Sequence, residues 1–128
     1  MPSFTTLTLA DGQSTPVNHT FTPVSLNSGL GVWNDRSKSV LLEQPYVTAK
    51  TTKSANSSSL LRQQFTINVP LYSAVDGKQL NNVGATIEVR LPANSTQAQR
   101  DDIAAYVKNF AASTVFAAMV KNGEGLFA

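Results

Sequence analysis

Residue type alternates with a period of two in three stretches of this chain between Tyr46 and Leu91. Successive side chains of a strand point to opposite faces, so each stretch is predicted to be a strand with one face on a core and one in water. The apolar positions are Val47 and Ala49, then Phe65, Ile67 and Val69, then Ala85, Ile87, Val89 and Leu91. Three such strands require a sheet, and the rest of the chain must cover its apolar side.

The polar positions of the same stretches are rich in hydroxyls, amides and cations. They include Lys50, Lys53, Arg62 and Arg90, with Glu88 as the single acid among them. Such a face can bind phosphates by charge and unpaired bases by hydrogen bonds. The alternative is an ordinary solvated face, which most antiparallel sheets have, and spacing alone leaves both interpretations open.

Shorter strands separated by turn residues are predicted before these stretches, and loops are predicted between them. Pro16 and Pro23 place the second strand at an edge of the sheet, where a missing N–H does no harm. The predicted segments are a strand over 4–9, a turn at Asp11-Gly12, a strand from Thr15 to Val24, a turn at Asn27-Ser28-Gly29, a strand from Leu30 to Trp33, a short extended piece from Val40 to Leu42, a connector over 54–59 and a loop between Pro70 and Gly84.

In the last third of the chain the period changes from two to about 3.6, which predicts helices. Cap-type residues Asn94-Ser95-Thr96 precede an Ala-rich run, and Gln97 and Gln99 are positioned for capping boxes. Ser113 is a candidate cap for a second helix that ends at Asn122-Gly123, although one bent helix also fits. The apolar stripe of the first helix is Ile103, Val107, Phe110 and Thr114, and the second helix carries Val115, Phe116, Met119 and Val120.

Strands first and helices last indicate an α+β fold of one domain spanning residues 1–128, with the helices on one face of an antiparallel sheet. A helix of about 10 Å diameter cannot cover a sheet of roughly five or six strands spaced about 4.8 Å apart. The chain therefore lacks cover for its own apolar face. A symmetric dimer, in which each chain's helices cover the other's sheet, solves this shortage, and a compact monomer is the alternative.

Composition excludes several kinds of site and of protein. The chain has no cysteine, which excludes disulfides, thiolate metal sites and cysteine nucleophiles. Its charged fraction of 14% is low against about 25% in typical domains, which suggests that much of its surface lies against something else. A basic-then-apolar leader and an apolar run of about 20 residues are both absent, so we expect a soluble protein made in a cytoplasm. A pI near 9.1 is compatible with a polyanionic partner.

The chain offers no convincing set of catalytic or metal-binding residues. His19 is the single histidine, and its Pro-flanked strand predicts a surface or turn histidine. Asp101 and Asp102 point in different directions on a helix and fit its N-terminal dipole better than a carboxylate pair. Gly29-Leu30-Gly31 and Gly123-Glu124-Gly125 lack the strand–loop–helix context of a phosphate cradle. We therefore predict a protein that is not an enzyme and that has no metal site and no cofactor.

Four longer motifs stand in a fixed order along the chain. They are Leu7-Thr8-Leu9-Ala10-Asp11-Gly12 followed by Thr15-Pro16, His19-Thr20-Phe21 and Pro23; Gly29-Leu30-Gly31-Val32-Trp33; Phe65-Thr66-Ile67-Asn68-Val69-Pro70; and Ala93-Asn94-Ser95-Thr96 with Arg100. Their order and spacing resemble the coat proteins of the single-stranded RNA bacteriophages, the leviviruses, over nearly the whole chain. The resemblance implies an N-terminal β-hairpin, a five-stranded antiparallel sheet and two C-terminal α-helices, in an interlocked homodimer with one continuous sheet.

The resemblance also implies a function. Dimers would assemble into a quasi-equivalent icosahedral shell around genomic single-stranded RNA, in the virion and, during assembly, in the cytoplasm of a host bacterium. The loop from Tyr72 to Asn82 would change conformation around the symmetry axes of the shell. The polar sheet face would point inward and also bind an RNA hairpin, which represses translation of the replicase.

Carried over by position, the family's RNA contacts fall on polar positions of the three strands. They are Thr48, Lys50, Arg62, Gln64, Thr66, Asn68, Thr86 and Glu88, and alternation adds Arg90. The chain departs from the family's pattern at Gly84, where some members have a tyrosine that stacks on a base. Recognition of a hairpin is therefore expected to differ at this position.

Two other functions are compatible with the sequence. One is a dimeric RNA-binding regulator that forms no capsid, and the other is a structural β-protein, such as another phage or pilus subunit, without a nucleic-acid role. The turn-rich loop and the low surface charge favour a coat protein over a regulator. The basic sheet face favours a coat protein or an RNA-binding regulator over a structural β-protein without a nucleic-acid role.

Overall fold

The structure, a computed structural model, describes residues 3–53, 60–72, 75 and 78–126, with the backbone alone at 79 and 80. The predicted connector over 54–59 and part of the predicted loop from Tyr72 to Asn82 lie outside the described residues. The strands are β1 (Leu7–Ala10), β2 (Asn18–Asn27), β3 (Leu30–Asp35), β4 (Tyr46–Lys53), β5 (Leu60–Tyr72) and β6 (Gln79–Pro92), and the helices are α1 (Gln97–Ala111) and α2 (Thr114–Lys121).

The six strands form one sheet in which each strand lies beside its neighbour in the chain. The ladders from β1 through β5 are all antiparallel, as expected when short turns join consecutive strands. The predicted α+β fold is confirmed, including the N-terminal hairpin and the two C-terminal helices. The hairpin of β1 and β2 belongs to the sheet, which therefore has six strands where the levivirus resemblance implied five beside a hairpin.

The chain divides into two compact units, residues 1–91 and residues 92–128. The first unit contains the sheet apart from Pro92, the last residue of β6, and the second contains both helices.

The prediction that the second strand forms an edge of the sheet is wrong. β2 lies between β1 and β3, and β1 is the edge strand. Pro16 precedes β2, and the ladder between β1 and β2 ends at the pair of Leu7 and Phe21, so Pro23 lies beyond it. A register shift between Pro23 and Ser25 marks a bulge, which is another position that tolerates proline.

The residues before β1 pack on the aromatic ring of β3 instead of extending the strand. The predicted strand over 4–9 begins only at Leu7. The rings of Phe4 and Trp33 meet edge to face with centroids 4.9 Å apart, and the indole Nε1 of Trp33 donates a 2.7 Å hydrogen bond to the carbonyl of Thr5. Gly31 makes room for this packing, since a Cβ there would lie 3.2 Å from the Phe4 ring.

Two other sequence predictions fail at segment boundaries. The piece predicted to be extended near Val40 contains a 3₁₀ turn over Leu41–Glu43, closed by a hydrogen bond from the Gln44 N–H to the Leu41 carbonyl. The predicted loop up to Gly84 is shorter, because β5 continues to Tyr72 and β6 begins at Gln79. The turn after β2 is confirmed: Ser28 and Gly29 both have positive φ, as a type I′ hairpin turn requires.

Both predicted helices form, and their caps explain where they begin. Thr96 accepts from the Gln99 N–H while the Gln99 side chain accepts from the Thr96 N–H, which completes a capping box. Ser113 accepts from the Phe116 N–H and starts α2, so the chain forms two helices and not one bent helix. Neither helix is long and apolar enough to cross a membrane, although the two together pass that test of length and composition with a 54° bend between them.

The sheet's apolar side, predicted as the core face, is open in the single chain. Among the described residues, only Phe21 and Val47 are buried apolar side chains. Phe65, Ile67 and Val69 are each 39% exposed although they alternate as predicted. A large part of the apolar surface of these strands is therefore still available for burial by another surface.

Candidate nucleic-acid interface

The register of β4 and β5 brings the predicted polar positions together on one face. Thr48 lies opposite Thr66, and Lys50 lies opposite Gln64. Directly paired residues of antiparallel strands share a face, so these four side chains form one polar patch. Arg62 and Asn68 have the same parity on β5 and extend the patch along the strand.

β6 adds its polar residues to the same face. The guanidinium Nε of Arg62 lies 3.8 Å from Oε1 of Glu88, which fixes the face of Glu88. Thr86 and Arg90 have the same parity on β6, so they lie on that side too. The structure therefore places all the RNA-contact residues predicted from sequence on one face of three adjacent strands, and their contact with RNA stays a prediction. We call this surface the polar face.

Lys53 was wrongly assigned to the polar face. It pairs with Leu61, two positions on from the pair of Thr51 and Gln63, and it has the same parity as Val47. Its side chain therefore belongs to the opposite side of the sheet, at the end of β4. The error came from grouping charged residues by type, whereas a period of two assigns the face.

Two of the predicted contact residues form an ion pair across β5 and β6. The side chains of Arg62 and Glu88 are 54% and 32% exposed, so solvent screens their 3.8 Å contact. Exposed pairs of this kind contribute about 0–1 kcal/mol, and a competing anion can replace the carboxylate at small cost. Lys50 and Arg90 are exposed and make no ion pair with the described residues. Among the described residues, the polar face thus has two cations without an ion pair and a third that is weakly paired.

Sequence analysis missed an aromatic residue on the polar face. Tyr46 opens β4 and lies opposite Asn68 on β5 and Asn34 on β3, and it is 36% exposed. Neither its hydroxyl nor the Asn68 amide makes a hydrogen bond with the described residues. Extending the alternation of Thr48 and Lys50 by one step toward the N-terminus would have found it. An exposed ring between two amides is able to stack on a base.

Gly84 continues this row across the sheet. A Cβ at this position would lie 3.2 Å from Oδ1 of Asn68 and 3.1 Å from the carbonyl oxygen of Ile67. The space beside the Gly84 backbone is therefore occupied by the Asn68 amide. One aromatic ring and two amides therefore lie in this row, which consists of Asn34, Tyr46, Asn68 and Gly84. The levivirus resemblance had implied only the loss of a stacking tyrosine at Gly84.

The prediction of a surface histidine at His19 is confirmed, since its side chain is 41% exposed, and the structure adds two carboxylate partners. Its Nε2 lies 3.0 Å from Oδ2 of Asp11, and its Nδ1 lies 3.2 Å from Oδ2 of Asp35. Sequence spacing hides this cluster because the hairpin and the end of β3 bring the three residues together. Within the part of the chain that the structure describes, no group of three or more His, Asp or Glu side chains is arranged to hold a metal ion.

Comparison with known proteins identifies the family of this chain. The family model of the levivirus coat protein matches residues 2–127. The chain belongs to the levivirus coat protein family. This agrees with the resemblance noted in its motifs, and it makes the chain a capsid protein by family. Comparison with curated protein sequences gives no match.

Solved structures of virus-like particles and of a phage capsid have the same fold as this coat protein. The chain of the virus-like particle of Beihai levi-like virus 21 aligns with a TM-score of 0.89 at 17% sequence identity. The alignment covers 99% of this chain and 100% of that chain. The virus-like particle of bacteriophage NT-214 gives 0.88 at 21% identity over 98% of this chain and 100% of that chain. The bacteriophage GA protein capsid gives 0.75 at 20% identity over 98% of each chain. At these sequence identities the likeness establishes the fold, and the family match indicates a structural protein of a capsid.

Proposed function

We propose that this coat protein assembles as dimers into an icosahedral shell around single-stranded RNA and that its polar face binds that RNA. One observation carries the proposal: the same three strands present the polar face on one side and an open apolar face on the other. The apolar face has exposed side chains that a second copy of the chain can bury, and the polar face has exposed cations that a polyanion can neutralise.

A second copy of the chain can satisfy the apolar side. The helices have exposed apolar side chains of their own, among them Tyr106, Phe110 and Val120. Burial of each large apolar side chain contributes about 1.5–3 kcal/mol, so helices of one copy on the sheet of the other stabilise both. We propose that residues 1–128 act as one coat-protein domain whose core is completed in this dimer.

The outer edge of β6 supports a specific form of that dimer. β6 spans 14 residues and has β5 on one side, with no strand of the described residues on the other. A long unpaired edge exposes a row of N–H and C=O groups and favours pairing with another strand. Antiparallel pairing of β6 with its copy across a two-fold axis would give one continuous sheet, with the two polar faces joined.

The joined polar faces suit single-stranded RNA better than a duplex. Lys50, Arg62 and Arg90 can contact phosphates, while Thr66 and Asn68 can hydrogen-bond unpaired base edges. Tyr46 supplies a ring on which an unpaired base can stack. The bases inside an RNA duplex are already stacked on one another and cannot use this ring. The proposed assignment covers the whole predicted set: Thr48, Lys50, Arg62, Gln64, Thr66, Asn68, Thr86, Glu88 and Arg90.

The same face is proposed to bind an RNA hairpin and so to repress replicase translation. The ring at Tyr46 would stack on an unpaired base of the loop, and the neighbouring Asn68 amide would contact its edge. The protein would then act in the host cytoplasm before assembly and in the virion afterwards. No turnover is involved, because binding is stoichiometric.

Expression in bacteria tests the proposed function directly. We expect the soluble protein to elute as large, uniform particles that appear as closed shells by electron microscopy and hold RNA that resists nuclease. A dimer-sized species with bound RNA and no shell would favour an RNA-binding regulator. Particles or fibres without RNA would favour a structural protein with no nucleic-acid role.

A further inference from the structure

The cluster of Asp11, His19 and Asp35 has no part in the proposed function, and it lies where the N-terminal hairpin meets β3. Asp11 follows β1, His19 lies on β2 and Asp35 ends β3. One imidazole ring therefore joins the loop of the hairpin to a third strand.

Asp11 organises the hairpin loop around this contact. Its Oδ1 accepts hydrogen bonds from the N–H of Val17 at 3.0 Å and of Gln13 at 3.3 Å, while its Oδ2 faces His19. The Asp11 N–H donates to the Val17 carbonyl at 3.0 Å, which closes the loop on itself. Any change in the contact between Asp11 and His19 is thus passed directly to the loop over 11–17.

Asp35 anchors the other end of the cluster in the sheet. It is buried, its Oδ1 accepts from the Ser37 N–H at 3.0 Å, and its own N–H donates to the Pro45 carbonyl at 2.9 Å. Its Oδ2 is left for Nδ1 of His19 at 3.2 Å. The carboxylate is held in place by the backbone, so His19 binds to a fixed acceptor.

The geometry requires a protonated ring for both contacts to be attractive. A neutral imidazole has one N–H, so one of its nitrogens would face a carboxylate oxygen lone pair to lone pair. An imidazolium has two N–H groups and donates to Asp11 and Asp35 at once. The hydrogen bond to Asp11 is the largest cause that raises the pKa of His19, the contacts with Asp35 add to it, and desolvation opposes it.

We propose that Asp11, His19 and Asp35 form a protonation-controlled latch that fastens the β1–β2 hairpin to the end of β3 while His19 is a cation and loosens it when His19 loses its proton. The latch depends on neither RNA binding nor shell formation. Loosening is confined to the loop over 11–17, because the chain before β1 is held separately by Trp33 through Phe4 and Thr5.

The pH range of the latch follows from the direction of each pKa. The pKa of His19 is raised above 6.5, so its contribution is fully present below 6.5 and is lost as pH rises through the raised value. The pKa of Asp11 is lowered from 3.8, first by the Val17 N–H and then by His19, so its contribution is fully present above 3.8 and is lost as pH falls through the lowered value. Burial acts to raise the pKa of Asp35, and the Ser37 and His19 hydrogen bonds outweigh it, which leaves that pKa lowered from 3.8 as well. The latch is therefore closed between the lowered pKa values of the two carboxylates and 6.5, and it opens as pH rises through the raised pKa of His19.

Solvent can reach the ring to exchange the proton. The His19 side chain is 41% exposed and borders an open depression of about 360 Å³. Among the described residues that line this depression, Asp35 and Arg36 are the charged groups beside His19.

The single histidine makes the test direct in the intact protein, whatever its assembly state. Exchange of the His C2 hydrogen, followed by mass spectrometry between about pH 5 and 9, gives the pH midpoint of imidazole protonation. The signal comes from His19 because the chain has one histidine. We expect a midpoint above 6.5, and a midpoint at or below 6.5 would overturn the proposal. Asp11→Asn removes the largest cause of the raised value and is expected to lower the midpoint, whereas an unchanged midpoint would contradict the latch.

Amide exchange in the peptide over 11–17 reports the loosening itself. After correction for intrinsic rates, we expect exchange to be about twofold to fivefold faster above the midpoint than below it, as for an exposed ion pair. His19→Gln, which keeps one donor and cannot titrate, should remove this step, and the α2 peptide over 114–121 should have none in either protein. A flat profile in the original protein, or the same step in His19→Gln, would refute the latch. Light scattering at each pH keeps the comparison within one assembly state.

Discussion

Ile67→Asp is expected to destroy the proposed dimer and with it every larger assembly. Ile67 pairs with Val47 at the centre of the apolar face and is 39% exposed in the single chain. If the helices of a second copy cover this face, the new carboxylate is buried without a partner at two symmetric places. An unpaired buried charge costs several kcal/mol, which corresponds to a rise of at least about 100-fold in the dimer dissociation constant. Analytical ultracentrifugation at micromolar protein concentration measures this dissociation constant.

Thr66→Asp is the matched control for this prediction. The same side chain is introduced one residue away on the same strand, but Thr66 lies opposite Thr48 on the polar face. This variant should keep the dimer and lose RNA by repulsion of phosphates. If Ile67→Asp is recovered only as insoluble protein, Ile67→Ala gives a graded version, with a smaller rise in the dissociation constant. Dimers of Ile67→Asp as tight as those of Thr66→Asp would mean that the apolar face is not the interface.

The faces of the long strands could be predicted from the sequence because a period of two is a local property. Val47, Phe65 and Ile67 on one side and Thr48, Gln64 and Thr66 on the other are each fixed by their neighbours in the chain. The caps at Thr96 and Ser113 were predictable for the same reason, since each cap bonds only three residues ahead.

The features that sequence analysis missed depend on residues far apart in the chain. The cluster at His19 requires the β1–β2 turn and the end of β3, which are 24 residues apart at Asp11 and Asp35. The internal position of β2 depends on how far β1 extends, and the two prolines alone indicated an edge. Tyr46 was missed because a ring at the end of a strand does not look polar in the sequence, although its register places it beside Asn68.

Replacing Lys50 and Arg62 together by alanine is expected to reduce the proposed packaging of RNA far more than it affects the proposed dimer. Lys50 is exposed on β4, and Arg62 is weakly paired with Glu88 on β6, so neither makes a strong contact that would stabilise the fold. Removing Arg62 also leaves the Glu88 carboxylate facing the RNA alone. Each lost phosphate contact lowers the slope of log affinity against log salt by about 0.7 for single strands, so we expect a change of about 1.4 per chain for RNA bound to free dimers.

The control for this double variant is Lys38→Ala with Lys53→Ala, which removes the same charge from places off the polar face. Lys53 lies on the opposite side of the sheet, paired with Leu61, and Lys38 is exposed in the segment before the 3₁₀ turn. The ratio of RNA to protein in purified particles, together with the salt slope, separates two explanations. If RNA is held by the net charge of the subunit, both double variants lose RNA equally. If the polar face holds the RNA, only the double variant at Lys50 and Arg62 lowers the RNA content, while sedimentation gives the same dimer for this variant and the original protein.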